Sequence, residues 1–289
     1  MEIIVRKMKR LLGLFISTIV STGMGWSAMM AAQASDVSEQ WRLTDMSQTR
    51  LISARTGTGD NPELLLGLQI KLDKGWKTYW RSPGDAGLPP RFSWSESDNI
   101  ESVEILWPKP RAFDSYGFLT WGYQQEVVFP IRVTLKDPQR GLNTKLQAFY
   151  GICAEVCVPV NQVFSIDIPA GPVRASAEAS IIDQFQARVP SPLAENAAVE
   201  YMSFYSIADN KLIVEIKSRD GFLKPSLILE GAEGDFFDVT AVELSSDNKV
   251  AKFSVTASLV DDKTPLKGQK ITATILDNSL AVEGHVTVE

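Results

Sequence analysis

Residues 145–164 read KLQAFYGICAEVCVPVNQVF and contain both cysteines of the chain, Cys153 and Cys157. The residues on each side of the pair are typical of strands. If the pair itself were extended, its Cα atoms would lie about 13 Å apart at ~3.3 Å per residue, whereas a disulfide needs about 4.4–6.8 Å. Pro159 and the β-branched neighbours disfavour a helical turn. We therefore predict a strand–turn–strand unit whose three-residue loop makes the cysteines cross-strand neighbours.

The predicted bridge has more than one interpretation from the residues alone. A disulfide that closes a ring of about five residues stabilises a fold by only ~2 kcal/mol. This small gain favours a disulfide used in thiol exchange, but a structural disulfide stays an alternative. A Cu(I) ion held by two thiolates is chemically feasible. It lacks support from thioether groups, because only Met46 and Met202 lie beyond residue 34. The three-residue spacing also differs from the two-residue spacing of thioredoxin motifs.

The rest of the chain alternates polar and apolar residues with period two, which predicts half-buried strands and an all-β fold of two β-sandwiches. Segment 175–188 is the exception, because it has no Gly or Pro and its apolar residues recur at helical spacing. It predicts a short helix in a linker. We expect a first domain at 35–170, a linker at 171–190 and a second β-sandwich at 191–289.

Charge and histidine content exclude several classes of function. The net charge is −6, and it becomes −9 without residues 1–34, which argues against nucleic acid and anionic lipid as partners. The single histidine, His285, lies near the end of the sequence. A single histidine in that position excludes most metal sites built from histidine ligands. It also excludes any catalytic group that needs an imidazole in the middle of the sequence. We expect neither a metal nor a cofactor.

Residues 1–34 have the order of a secretory signal peptide. Four basic residues lie within the first ten, an uncharged stretch follows, and Ala32-Gln33-Ala34 ends it. We expect cleavage after Ala34 and export to a compartment that permits disulfides. The alternative is a retained membrane anchor, since 24 uncharged residues could span a bilayer.

Several motifs in the first half occur in a distinctive order. They are Gly75-Trp76-Lys77-Thr78-Tyr79-Trp80-Arg81-Ser82-Pro83, Trp107-Pro108-Lys109-Pro110, Gly122-Tyr123, Phe129-Pro130 and Cys153-x3-Cys157-Val158-Pro159. Together they resemble the periplasmic N-terminal domain of the DsbD and ScsB thiol:disulfide interchange family, ScsB being the copper-sensitivity suppressor. The resemblance covers about residues 40–170 and extends more loosely to the tail.

This resemblance implies an immunoglobulin-like domain that acts as a thiol:disulfide oxidoreductase in the periplasm. Cys157 matches the cysteine that forms mixed disulfides, and Cys153 matches the resolving one. The implied partners are a CcdA-like or DsbD-like membrane electron transporter or a thioredoxin-like domain, together with periplasmic disulfide proteins. A cap loop is implied over the pair, with Ser115 in place of an aromatic tip; it consists of Phe113, Asp114, Ser115, Tyr116, Gly117 and Phe118.

A second function from another class also fits the residues. In that alternative the protein is a non-catalytic periplasmic binding module with a structural disulfide, and it has a possible link to copper tolerance. The aromatic residues Trp76, Tyr79 and Trp80 could line a ligand groove, but sandwich cores routinely bury such side chains. We therefore expect these three residues in the core.

Overall fold

A computed structural model describes residues 37–115, 117–261 and 263–289. The expected signal peptide at 1–34 and Tyr116 of the expected cap lie outside these residues. Strands dominate the described part of the chain. Among its helices, none is long and apolar enough to cross a membrane.

The first half of the described chain forms a sandwich of two antiparallel sheets. One sheet has the strand order β1-β2-β3-β9-β6, and the other has the order β11-β10-β4-β8-β7, with β5 paired to β10. The strands are β1 (Arg42–Leu43), β2 (Ser47–Ser53), β3 (Glu63–Leu72), β4 (Lys77–Gly84), β5 (Arg91–Ser93), β6 (Ile100–Ile105), β7 (Arg111–Ser115), β8 (Phe118–Gln124), β9 (Glu126–Leu135), β10 (Leu142–Cys153) and β11 (Cys157–Ile168).

The core of this sandwich is built from the inward faces of both sheets. Trp80, Leu146 and Phe164 have no exposed surface. Tyr150 on β10 is also fully buried, and its hydroxyl bonds to Thr49 Oγ1 of the opposite sheet at 2.8 Å. A buried hydroxyl needs such a partner, so this contact fixes how the two sheets stack.

A helix, α1 (Ala179–Gln186), follows the first sandwich, so the predicted linker helix is confirmed. Ile182 and Phe185 are buried in the core of the first sandwich. Gly67 on β3 makes room for this packing, because a Cβ there would lie 3.1 Å from the Ile182 side chain.

The second half of the described chain is another pair of sheets. Their strand orders are β12-β19-β18-β15 and β13-β14-β17-β16. The strands are β12 (Ser191–Pro192), β13 (Val199–Ala208), β14 (Lys211–Ser218), β15 (Ser226–Glu230), β16 (Phe236–Leu244), β17 (Val250–Ser258), β18 (Lys270–Asp277) and β19 (Leu280–Thr287). The predicted all-β fold, with an immunoglobulin-like sandwich carrying the cysteine pair, a short linker helix and a second β-sandwich, is confirmed.

Arg81, from the first distinctive motif, joins the two sandwiches. It extends from β4 and makes a two-pronged contact with Glu230 of β15, its Nη2 lying 2.7 Å from Oε2 and its Nε 2.9 Å from Oε1. The same guanidinium also pairs with Glu283 of β19. These two carboxylates raise the pKa of Arg81 despite its burial. Such a planar, bidentate arrangement favours arginine over lysine.

Lys109, from the second motif, makes another contact between the sandwiches. Its Nζ donates to the carbonyl oxygen of Leu280 at 2.8 Å and to that of Asn278 at 2.5 Å, in the turn between β18 and β19. Ile228 and Leu276 of the second sandwich belong to the apolar core of the first. The two halves are therefore held by ionic, polar and apolar contacts.

Candidate functional site

The two cysteines close the mouth of the β10–β11 hairpin. Cys153 is the last residue of β10, Cys157 is the first residue of β11, and the two are direct cross-strand partners. They form a disulfide with a Cα–Cα distance of 4.1 Å. The amide of Ala154 donates to the carbonyl of Val156 and so closes the turn. The predicted strand–turn–strand unit is confirmed.

The two sulfur-bearing residues differ in their access to solvent. Cys153 is 1% exposed, whereas Cys157 is exposed. The turn residues Ala154, Glu155 and Val156 are exposed as well. Of the two cysteines, Cys157 is therefore the one on the surface, while Cys153 is covered by the fold.

Tyr79 on β4 touches the exposed cysteine. Its hydroxyl lies 3.4 Å from Cys157 Sγ, and its side chain is 2% exposed. The phenol must be the donor, because a disulfide sulfur carries no hydrogen. Burial raises the pKa of Tyr79 above its usual value near 10, so the hydroxyl stays protonated at neutral pH. Tyr79 is buried, but it lies outside the sandwich core that contains Trp80, and its contact with Cys157 was not predicted.

Two glycines lie on the strands that flank Tyr79 and make close contacts around it. A Cβ at Gly151 on β10 would lie 3.4 Å from the Tyr79 ring and 2.9 Å from Leu88 Cβ. A Cβ at Gly122 on β8 would lie 2.1 Å from the carbonyl oxygen of Thr78. A larger residue at Gly122 would disturb the pairing of β4 with β8, and one at Gly151 would displace Leu88.

Lys77 on β4 is the direct cross-strand partner of Cys153 on β10. Its side chain is buried, and Nζ donates to Ser115 Oγ at 2.5 Å and to Thr120 Oγ1 at 3.4 Å. Burial lowers the pKa of Lys77, and the charge of Asp114 opposes that shift. A buried lysine whose ammonium group has hydroxyl partners is thus the cross-strand neighbour of Cys153.

The expected cap residues fall on the β7–β8 hairpin. Phe113, Asp114 and Ser115 end β7, and Phe118 begins β8. Asp114 Oδ1 accepts a hydrogen bond from the amide of Gly117 at 2.9 Å, which is ordinary turn chemistry. The hairpin contacts β4 through Ser115 and Lys77. Phe118 is 53% exposed, and shielding of the cysteines by this segment stays a prediction.

Across residues 37–115, 117–261 and 263–289, no group of three or more His, Cys, Asp or Glu side chains could hold a metal ion. The two sulfurs are bonded to each other, and their neighbours are a phenol, an ammonium group and hydroxyls. This arrangement suits thiol–disulfide exchange.

The sequence of the first sandwich matches a known family. Residues 48–167 match the family described as Thiol:disulfide interchange protein DsbD, N-terminal. These residues form a DsbD N-terminal domain. It is a thiol–disulfide interchange domain, and the expected resemblance is confirmed.

The remainder of the chain and the whole fold have their own matches. Residues 188–289 match a family described as a Domain of unknown function (DUF8393). The N-terminal periplasmic domain of ScsB from Proteus mirabilis superposes with a TM-score of 0.70 at 23% identity, covering 88% of this chain and 99% of that one. Both sandwiches therefore share the fold of that structure.

One further solved structure is similar over part of the chain. It is the reduced DsbD N-terminal domain from Neisseria meningitidis, with 16% identity, a TM-score of 0.25, and coverage of 43% of this chain and 89% of that one. No curated protein sequence matches this chain.

Proposed function

We propose that this protein relays electrons by thiol–disulfide exchange through Cys153 and Cys157. The relay runs between a membrane electron transporter of the CcdA or DsbD type, or a thioredoxin-like domain, and disulfide-bonded proteins of the periplasm. The observation that carries this proposal is the asymmetry of the bridge, in which an exposed Cys157 is bonded to a buried Cys153 within a DsbD N-terminal domain.

The two cysteines have different roles in the proposed exchange. A thiolate of the electron donor attacks Cys157 Sγ, the Cys153–Cys157 bond breaks, and its electron pair stays on Cys153 as a thiolate. The donor's second thiolate then attacks the donor sulfur that is bonded to Cys157. The donor leaves with an internal disulfide, and Cys157 is released as a thiolate. Passing the electrons to an oxidised client reverses these steps, with Cys153 resolving the mixed disulfide. The β7–β8 hairpin is the proposed cap, and opening it gives a partner full access.

The proposed location is the periplasm. It is supported by the signal-peptide pattern that ends at Ala34 and by the printed description of the similar ScsB domain as periplasmic. The domains in this proposal are the redox domain at 35–170, the linker at 171–190 and the second sandwich at 191–289. Arg81 and Lys109 attach the second sandwich firmly to the first. This attachment favours a rigid binding surface for a partner over a flexibly linked domain.

Single-cysteine variants test the relay directly. C153S keeps the exposed thiol but cannot resolve a mixed disulfide, whereas C157S keeps only the buried thiol and serves as the matched control. Each variant is incubated with a thioredoxin-like domain that lacks its resolving cysteine and whose remaining cysteine is bonded to thionitrobenzoate. An attacking thiolate forms the adduct and releases thionitrobenzoate, and adducts are separated on a non-reducing gel. The proposal predicts a reducible adduct with C153S and none with C157S.

The alternative function makes the opposite prediction. If the disulfide is structural and the protein is a binding module, including one linked to copper tolerance, neither variant forms an adduct. The wild-type bridge would then also resist a reduced thioredoxin-like domain. That result would overturn the relay.

A further inference from the structure

Lys77 is the residue of β4 that lies directly opposite Cys153. Four residues form one row across neighbouring strands, and they are Gln124 on β8, Lys77 on β4, Cys153 on β10 and Cys157 on β11. Directly opposite residues of antiparallel strands point to the same face, with Cβ atoms about 4.5–5.5 Å apart. Lys77 and Cys153 are therefore neighbours on the face that carries the disulfide.

We propose that Lys77 is a positioning residue whose ammonium group stabilises the Cys153 thiolate and couples it to the β7–β8 hairpin. In the oxidised protein, the ammonium is held by the hydroxyls of Ser115 and Thr120. Neutral hydroxyls compete weakly for a cation, whereas a thiolate beside it is an opposite charge in a buried setting. This inference rests on the proposed exchange at Cys157.

Lys77 acts in the step that breaks the Cys153–Cys157 bond. When a partner thiolate bonds to Cys157 Sγ and the Cys153–Cys157 bond breaks, the electron pair remains on Cys153, where no solvent is available to stabilise it. Lys77 supplies the compensating charge, so Cys153 becomes a better leaving group. Loss of the ammonium from Ser115 would also remove a side-chain contact between β4 and the end of β7, so reduction and opening of the hairpin tip become linked, while β8 stays paired to β4.

Other titratable groups around Lys77 determine the pH range of the effect. Asp114 on β7 contributes an attractive charge, and burial opposes the charged form. The Tyr79 ring lies 5.8 Å from Nζ on the same strand. Glu155, in the turn between the cysteines, is exposed. A thiolate at Cys153 favours the protonated form of the Lys77 amine. In the reduced protein the two opposite charges therefore stabilise each other.

The thiolate of Cys153 can be titrated by itself in the C157S variant, using its absorbance near 240 nm. We expect K77M to raise the pKa of this thiol by about one unit, because an opposite charge at close range accounts for a shift of that size. K77R, which keeps the charge, should restore most of it. K74M is the matched control, since Lys74 is an exposed lysine three residues earlier, and it should titrate like the parent.

The reduction equilibrium provides a second, independent measurement. With both cysteines present, K77M should shift the equilibrium with glutathione toward the disulfide by up to about tenfold at pH 8.5, which is about 30 mV for a two-electron couple. The shift should vanish at pH 6, where no thiolate forms. A merely structural role would give the same shift at both pH values. Matching titrations for K77M and K74M would overturn the inference, and they would do so whether or not partner adducts form with C153S.

Discussion

Cys153 and Cys157 are directly paired across one hairpin, yet only Cys157 is exposed. The difference arises from their neighbours. Cys153 lies between β4 and β11, whereas Cys157 begins an outer strand of its sheet. We therefore predict that a partner attacks Cys157 and that Cys153 resolves the mixed disulfide.

Tyr79→Phe should make Cys157 less reactive. The change removes the hydroxyl that lies 3.4 Å from Sγ and keeps the buried ring. A thiolate that loses a hydrogen-bond donor becomes less stable, and we expect the pKa of Cys157 to rise by about one unit. The measurement is the pH dependence of iodoacetamide alkylation in the C153S background. Tyr205→Phe, which alters an exposed tyrosine of β13, is the control, and identical profiles for both variants would contradict the assigned contact.

Arg81→Met should loosen the second sandwich. The change leaves Glu230 and Glu283 facing each other without their shared cation. Because Arg81 is mostly buried, we expect a loss of about 2–3 kcal/mol in the free energy of unfolding. Arg91→Met is the control, because the Arg91–Glu233 pair is exposed and should contribute less than about 1 kcal/mol.

The tryptophans make this loosening measurable. All tryptophans beyond residue 34 precede the linker helix, so their fluorescence reports the first sandwich, while circular dichroism reports both. In urea, the two signals should coincide for the wild type and for Arg91→Met, and they should separate for Arg81→Met, with circular dichroism changing first. Coincident transitions with an unchanged midpoint in Arg81→Met would show that this contact does not hold the two halves together.

Tyr150 should make the fold sensitive to strongly alkaline pH. Burial raises the pKa of Tyr150 to about 12, although the hydrogen bond with Thr49 opposes the shift. The unfolded chain releases this proton near pH 10, so the free energy of unfolding should fall as pH rises from 10 to 12. The contribution from this one group is at most about 2–3 kcal/mol at 1.36 kcal/mol per pH unit.

The matched comparison for this titration is Tyr150→Phe. The variant loses the hydroxyl contact at every pH, but it has no proton to release, so its stability should fall less steeply above pH 10. Urea midpoints of the two proteins at pH 8, 10 and 11 give the answer. A constant difference between them would show that Tyr150 does not titrate on unfolding.

Much of the architecture could be predicted from local sequence. The spacing of Cys153 and Cys157 permits few geometries, and a hairpin is the one that fits both the disulfide and the strand-like flanks. Period-two alternation likewise predicted the buried positions of β14 and β18, for example Val214 and Ala273, which are fully buried. The linker helix was predictable because segment 175–188 has no Gly or Pro.

The surroundings of the disulfide were not predictable in the same way. Lys77 and Tyr79 precede the cysteines by more than seventy residues, and their positions depend on the pairing of β4 with β10. Period two places both side chains on one face of a strand, but it does not reveal which strand lies alongside. The contacts of Arg81 and Lys109 could not be predicted for the same reason, because their partners lie in the second sandwich.

The reduction potential of the Cys153–Cys157 pair in the folded protein tests the relay most directly. The protein is equilibrated in glutathione or dithiothreitol redox buffers, and the fraction of free thiol is measured by trapping with a maleimide. For an electron relay we expect a value between about −180 and −270 mV, the range of known exchange proteins. A value below about −300 mV, typical of structural bridges, would contradict it.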